Sequence, residues 1–201
     1  MRTIHDFIES NAPRYIFGSV LDIGGGWGRW RKTLAPHAGR YFVSDLFADS
    51  ADFRDDARQL SNQDLSFDTV LCFEVLEHID DSRLVISEMH RVLRQGGHAL
   101  VTAPFMFSQH GNPDDYYRFT PHGFEFLFKQ AGFEVVQSGA IGNLWSVLAC
   151  IWKARMKSKT CNFATRKFFY LLHKLFERLQ PLFRGDAGSF FTNSYIIARK
   201  P

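Results

Sequence analysis

The chain has 201 residues, 45% of them apolar and 22% charged, which is enough for one well-buried domain and short for two. Cys72, Cys150 and Cys161 form no Cys-x-x-Cys pair and are odd in number, which argues against a disulfide framework and for a reducing compartment in which they fill the core. The net charge of +3 is unevenly spread: residues 153–184 carry nine Lys or Arg against one acid, Glu177, giving +8 there and −5 for the remainder.

In chain order, Asp6 and Glu9 interrupt the stretch that an export signal would keep apolar, which points to a cytoplasmic protein. Ser19–Gly24 reads as a buried strand, followed by four glycines within five residues, and Trp27–Ala35 as the start of a helix ending near Pro36 and Gly39. Arg40–Leu46 and Phe67–Val75 are the next two strands, the latter rich in branched and aromatic residues. Asp80, Asp81 and Ser82 offer cap oxygens to a helix with Val85, Met89, Val92 and Leu93 at helical spacing. Arg91 and Arg94 suit its negative end, and Gly96–Gly97 stops it. His98–Pro104 is a strand, Thr120–Pro121 opens a helix that stops at Gly132, and Phe133–Gly139 and Asn193–Pro201 are the last strands. The longest nearly apolar run, Ile141–Trp152, is about twelve residues, against roughly twenty for a bilayer span.

This alternation predicts an α/β fold with a mostly parallel sheet covered on both faces. Ligands of such sheets sit beyond the carboxyl ends of the strands, so the first strand-to-helix turn is the place to look. Glycine there admits a ligand against bare backbone, whereas a turn that merely joins two elements needs fewer glycines. A dinucleotide Gly-x-Gly-x-x-Gly fails, because the third glycine falls on Arg29 or Arg31, and no Gly-Lys-Ser/Thr follows for a P-loop. What stands is acid-x-Gly-x-Gly-x-Gly: Asp22, Gly24, Gly26 and Gly28.

At this point the chain resembles the class I S-adenosylmethionine-dependent methyltransferases. Asp45 lies 21 residues after Gly24, where that family places an acid on the ribose hydroxyls. Asp56–Ala57 is similar to its adenine-reading Asp-Ala step. Phe67–Ile79, which includes Phe73, is similar to its fourth strand and following loop, and His90–Pro104 to its helix, Gly-Gly turn and fifth strand. The resemblance implies S-adenosylmethionine as cofactor, bound by Asp22, Gly24, Gly26, Gly28, Asp45, Asp56, Ala57 and Phe73. It also implies a Rossmann-like, mostly parallel seven-stranded sheet with an antiparallel last strand, the whole chain forming one methyltransferase domain with a basic aromatic insertion at about 153–190. The cofactor's carboxylate suits the free amides at a helix start, and its sulfonium suits Asp22 and backbone oxygens. Trp27 and Trp30 are bulkier than expected there and either pack the helix or narrow the entrance.

For methyl transfer to a hydroxyl, a histidine is the natural base. His78 and His110 follow the strands on the ligand side, with a backbone-bonding role as the plainer reading of His78. The segment His110–Phe133 resembles the His…Pro-x-Asp-Tyr-x-Arg-Phe-Thr stretch of small methyltransferases, similar to the type 11 group, associated with bacterial surface-polysaccharide and glycolipid pathways. Its matching positions are His110, Pro113, Asp115, Tyr116, Arg118, Phe119 and Thr120. Arg118 suits an acidic or phosphorylated acceptor and Tyr116 and Tyr117 a wall, while Asp115 and Arg118 can equally pair to pin the loop. The implied function is methyl transfer to a hydroxyl of a sugar, glycan or lipid-linked acceptor. The alternatives are transfer to carbon or nitrogen and a non-catalytic cofactor-binding or scaffold protein. Cys72–His78 (Cys-Phe-Glu-Val-Leu-Glu-His) stands where nucleic-acid amino-methyltransferases carry an Asn/Asp-Pro-Pro-aromatic turn after their fourth strand, and its lack of that turn disfavours base methylation, while no His/Cys spacing suggests a metal.

Asn162–Phe183 places Phe168, Phe169, Leu171, Leu172, Leu175, Phe176, Leu179 and Leu182 at helical spacing, with Arg166, Lys167, Lys174 and Arg178 between them. Such a helix docks on the domain or a second copy as a homodimer, or lies in a membrane interface at the inner face, where basic residues attract anionic lipid. Binding of single-stranded RNA is the least favoured reading.

Overall fold

A computed structural model of the chain describes residues 3–111, 114–157, 162–179 and 189–201. Cys161, Pro113, Leu182 and Phe183 lie outside the described residues, as do parts of the expected 153–190 insertion. A first helix, α1 (Ile4–Tyr15), opens on a reciprocal cap in which the Thr3 hydroxyl accepts from the Asp6 amide and the Asp6 carboxylate from the Thr3 amide, both at 3.1 Å. Then come β1 (Ser19–Ile23), a single helical turn α2 (Arg31–Leu34), β2 (Arg40–Ser44), β3 (Phe67–Phe73), α3 (Ser82–Val92), β4 (Leu93–Pro104), α4 (Pro121–Gln130) and β5 (Glu134–Ile141). The helices α5 (Leu144–Lys157) and α6 (Phe163–Leu179) pack on one another before the last strand, β6 (Asn193–Arg199).

Among the described residues the sheet has six strands, in the order β2-β1-β3-β4-β6-β5, rather than the expected seven. The first four strands are parallel, and β6 runs antiparallel to both β4 and β5, as the resemblance implied for the last strand. A further edge strand beside β2 is reduced to one bridge, Ser44 to Phe53. The segment there, Leu46–Ser66, carries five aspartates and only scattered apolar side chains, so it has no alternating face to bury.

Side-chain alternation along the strands builds a core on each face. Leu21, Ile23, Val70, Cys72, Val101 and Ile196 face one way, onto α3 and α4. Val20, Leu71, Phe73, Leu100 and Ile197 face the other way, onto Phe7, Ile8 and Ala12 of α1. Cys72 is a free buried thiol, and Cys150 is free and half-buried.

Two expected elements differ. The helix expected from Trp27 shrinks to α2, because Gly28, inside the expected span, takes a positive φ of +79°, which a right-handed helix does not contain. Gly96–Gly97 does not stop α3. That helix ends at Val92, and the glycines lie inside β4, with Gly96 at φ +79°. The other start signals agree with the sequence: Asp81 caps α3 by accepting from the Arg83 amide, and Thr120 caps α4 by accepting from the Gly123 amide at 3.0 Å.

Candidate active site

Strand β1 has β2 on one side and β3 on the other, so strand order reverses at its carboxyl end, where the glycine loop sits. Two clefts open there and share Gly24 and Glu74. One, of about 320 Å³, is lined by Asp22, Gly24, Gly25, Gly26, Trp30 and Phe73 among others. The other, of about 360 Å³, runs past Asp45, Asp56, Ala57 and Glu74 to His78, Asp114 and Tyr116. Together they have the size and mixed lining of a small-molecule site.

The glycines differ in what they clear. A Cβ on Gly24 would stand 2.4 Å from Val75 Cγ2, so this glycine lets the loop pack on the turn after β3. A Cβ on Gly26 would meet nothing within 4 Å, so its bare backbone faces open space at the first cleft. Gly25 sits over Asp22, whose Oδ2 would lie 2.6 Å from an added Cβ. Asp45 ties the second strand to this loop: its Oδ2 accepts from the Gly26 amide at 3.0 Å, and its Oδ1 accepts from the amides of Phe47 and Ala48 at 2.9 Å. Trp30 packs edge-on against Phe73 and lines the cleft, whereas Trp27 is 85% exposed at its rim. The Asp56 carboxylate is held by Arg58 at 2.7 Å, which draws it below the ordinary carboxylate range, and Arg58 also reaches Asp80 at 2.7 Å.

Three buried acids concentrate here. Asp22 takes a hydrogen bond from the Tyr41 hydroxyl at 2.7 Å, yet burial lifts its carboxyl from 3.8 to about 7. Glu74 accepts from the Thr102 hydroxyl at 2.8 Å and from the Asn193 side-chain amide at 2.7 Å, and burial lifts it to about 7 as well. Its φ of +59°, rare outside glycine, marks a turn held in place by those two bonds. Glu77 is fully buried in a 3-10 turn (Leu76–His78), and burial again raises its carboxyl to about 7.

For Asp22, the folded chain keeps a proton between pH 3.8 and about 7 that the unfolded chain has lost. Its contribution to stability is therefore complete in acid and is lost as the pH rises through 7, because the anion is the costly form. The melting temperature of cofactor-free protein is expected to fall between about pH 4 and about pH 7, and to fall less in Asp22→Asn. Parallel pH profiles for the two proteins would contradict the assignment.

Residues 105–111 and 114–120 strap over the 3-10 turn. The Tyr116 amide donates to the Glu77 carbonyl at 2.7 Å, the Tyr117 hydroxyl donates to the Asp80 carbonyl at 2.6 Å, and His78 Nδ1 lies 2.6 Å from the Asp114 carbonyl. Asp115, with only 1% of its side chain exposed, accepts from Arg118 at 2.6 Å and from the His110 amide at 2.8 Å. The guanidinium holds its carboxyl far below the usual range. Arg118 is thus engaged in pinning the loop, the reading weighed beside acceptor binding, while Tyr116 and Tyr117 are exposed and Tyr116 lines the second cleft. His110 lies beside His78, ring centroids 5.1 Å apart.

The matching family model describes a methyltransferase domain and spans residues 2–138, more than half of the chain. The chain belongs to the methyltransferase-domain family. It is an enzyme of the S-adenosylmethionine-dependent class, and the class I fold read from the glycine loop is the one observed. Similar solved structures include Haemonchus contortus phosphoethanolamine N-methyltransferase 2 in complex with S-adenosyl-L-methionine (19% identity, TM-score 0.63, covering 98% of this chain and 52% of that one). Streptomyces coelicolor geranyl diphosphate C-methyltransferase shares 14% identity at TM-score 0.63, over 98% of this chain and 80% of that one. The [4+2]-cyclase SpnF shares 16% identity at TM-score 0.64, over the same fractions. At such identities these likenesses concern the fold. No curated protein matches the sequence.

Two residues of the candidate site were not legible in the sequence. Glu74 was one of several acids after β3, and only its positive φ and two buried partners distinguish it. Glu77 gains its meaning from His110, 33 residues away, once the loop folds over it.

Proposed function

We propose that this methyltransferase moves the methyl group of S-adenosylmethionine to a hydroxyl of a sugar, a glycan or a lipid-linked small acceptor. The carrying observation is that His78 lines the end of the cleft that begins at the glycine loop, with His110 beside it, and that the two present Nε2 at 3.6 and 3.9 Å from Glu77 Oε1. In this reading Gly24, Gly26 and Gly28 receive the methionine portion of the cofactor, with Asp22 and Phe73 behind it. Asp45 holds the ribose through its remaining lone pairs, and Asp56–Ala57 border the adenine. The open space over Gly26 and the continuous pair of clefts support that fit.

The chemistry asks mainly for alignment. Bound S-adenosylmethionine would supply an electrophilic methyl group with its sulfur as the leaving group, and an acceptor oxygen would give up its proton on taking that methyl, so an oriented acceptor would supply much of the rate. His110 and His78 are the groups that loosen that proton, and Tyr116 and Tyr117 form the acceptor's wall on a loop that Asp115 and Arg118 hold in register. The test is methyl-labelled S-adenosylmethionine offered with sugar and lipid-linked glycan acceptors beside amine and carbon acceptors. Label in alkali-stable methyl ethers is expected, and label confined to amines or carbon would overturn the oxygen assignment.

The reading extends to contact with the inner face of a membrane. On α6, Phe163, Phe168, Leu171 and Leu175 are exposed beside Arg166, Lys167 and Arg178, a pattern that supports an interfacial helix. No helix of the described residues is long and apolar enough to cross a membrane. Flotation with anionic vesicles at low salt is expected to carry the protein upward. Absence from the vesicle fraction would leave α6 as a docking helix, on this chain or on a second copy.

A further inference from the structure

Glu77 has none of its surface exposed, and neither carboxylate oxygen finds a hydrogen-bond partner on another residue, a costly state for a buried carboxylate. What faces it is the pair of imidazoles. His78 Nε2 lies 3.6 Å and His110 Nε2 3.9 Å from Oε1, and the three atoms fall within 4.8 Å of one another. The far side of each ring decides what the near side can offer. His78 Nδ1 is 2.6 Å from the Asp114 carbonyl and His110 Nδ1 is 3.3 Å from the Ser108 carbonyl; Asp115 Oδ2 stands 3.5 Å from the latter nitrogen. Carbonyl and carboxylate oxygens only accept, so each Nδ1 carries the hydrogen, and in the neutral rings each Nε2 turns a lone pair toward Glu77. With Glu77 ionised, three electron-pair donors therefore converge with no donor hydrogen among them.

From this convergence we propose that Glu77, His78 and His110 form a binding site for a divalent transition-metal cation. Two imidazole nitrogens and one carboxylate oxygen are a donor set for such ions, of the Mn²⁺, Co²⁺ or Zn²⁺ kind. The outer hydrogen bonds from Nδ1 are the usual means by which ligating histidines are oriented. A cation bound at about 2.0–2.2 Å draws its ligands to roughly 3–3.5 Å of one another, so closure requires side-chain shifts of about 1 Å. His78, one-quarter exposed, and His110, two-fifths exposed, leave an entry path, and His78 shares the wall of the second cleft. The site deepens the role given above to the two histidines, which then act on the acceptor through the cation. It does not depend on which acceptor is used.

Direct binding is the test, so its failure and failure of the methyl-transfer reading are separable. Chelator-treated full-length protein is titrated with Mn²⁺, followed by electron paramagnetic resonance of the free ion, and with Co²⁺, followed by its visible absorption. One equivalent per chain is expected, with affinity reduced by at least ~10-fold in Glu77→Gln and in His110→Ala and unchanged in His122→Ala, a histidine on α4 outside the cluster. Circular dichroism of each variant separates lost ligands from lost fold, and Glu77→Gln, which keeps the shape and relieves a buried charge, is expected to fold. Absence of stoichiometric binding of either ion to the parent protein would overturn the site, as would undiminished binding in the folded Glu77→Gln and His110→Ala variants. Methyl transfer that persists in chelator would leave the proposed reaction standing while removing the cation from it.

Discussion

Gly26→Val is expected to weaken S-adenosylmethionine binding by at least about 100-fold, or ~2.7 kcal/mol, while the domain stays folded. The argument is geometric. The Gly26 backbone has φ +56°, and a Cβ built there meets nothing within 4 Å, so a valine side chain occupies cleft volume rather than displacing protein atoms. The left-handed backbone adds about 1–2 kcal/mol of strain for any residue with a Cβ, which Gly26→Ala measures separately. Gly24→Val is the contrast: its Cβ stands 2.4 Å from Val75, so that variant is expected to lose thermal stability first. Calorimetric titration of Gly26→Val that returned the parent affinity would remove Gly26 from the cofactor site.

His110→Ala is expected to lower turnover by roughly 10²–10⁴-fold with cofactor affinity retained. His110 is absent from both clefts' linings at the glycine loop, and its amide donates to Asp115 at 2.8 Å, closer than its ring at 3.5 Å, so the main loop anchor survives the substitution. Its ring faces His78 and Glu77, the group of side chains to which the proposed function assigns removal of the acceptor's proton. Single-turnover rates with saturating cofactor separate the two quantities, and a rate equal to the parent's would take His110 out of the chemistry. Loss of cofactor binding instead would show that the loop's role is to close the cofactor cleft.

Much of this architecture was written in local patterns. Ser19–Ile23 and Phe67–Phe73 are runs of branched and aromatic residues that make sense only as strands buried on both faces, and the structure buries them so. Asp81 and Thr120 announce the helices that they cap. The misjudged elements were those where a local signal is ambiguous. Gly96–Gly97 has the composition of a helix stop, but pairing of Leu93 with Phe67 and of His98 with Thr69 draws the whole segment into β4. Trp27–Trp30 opens the stretch expected as helix, but Gly28 at positive φ turns the chain there, which leaves Trp27 on the rim.

The candidate site divides in the same way. Asp22, Gly24, Gly26, Gly28 and Asp45 follow from spacing, because one strand-turn unit and the end of the neighbouring strand bring them together. Glu74, Glu77 and their partners could not be read, because Thr102, Asn193 and His110 reach them from β4, β6 and the strapping loop. Asp115 and Arg118 show the limit from the other side. Their spacing suggested both a loop pin and an acceptor grip, and the observed bidentate pair accounts for the first.

The most direct measurement of the central claim is calorimetric titration of the intact protein with S-adenosylmethionine and S-adenosylhomocysteine, with NAD as the control. Binding of the first two at one site per chain, absent for NAD and lost in Gly26→Val, is the result that a methyl-donor cradle at the glycine loop predicts. Absence of binding, or a preference for NAD, would contradict it.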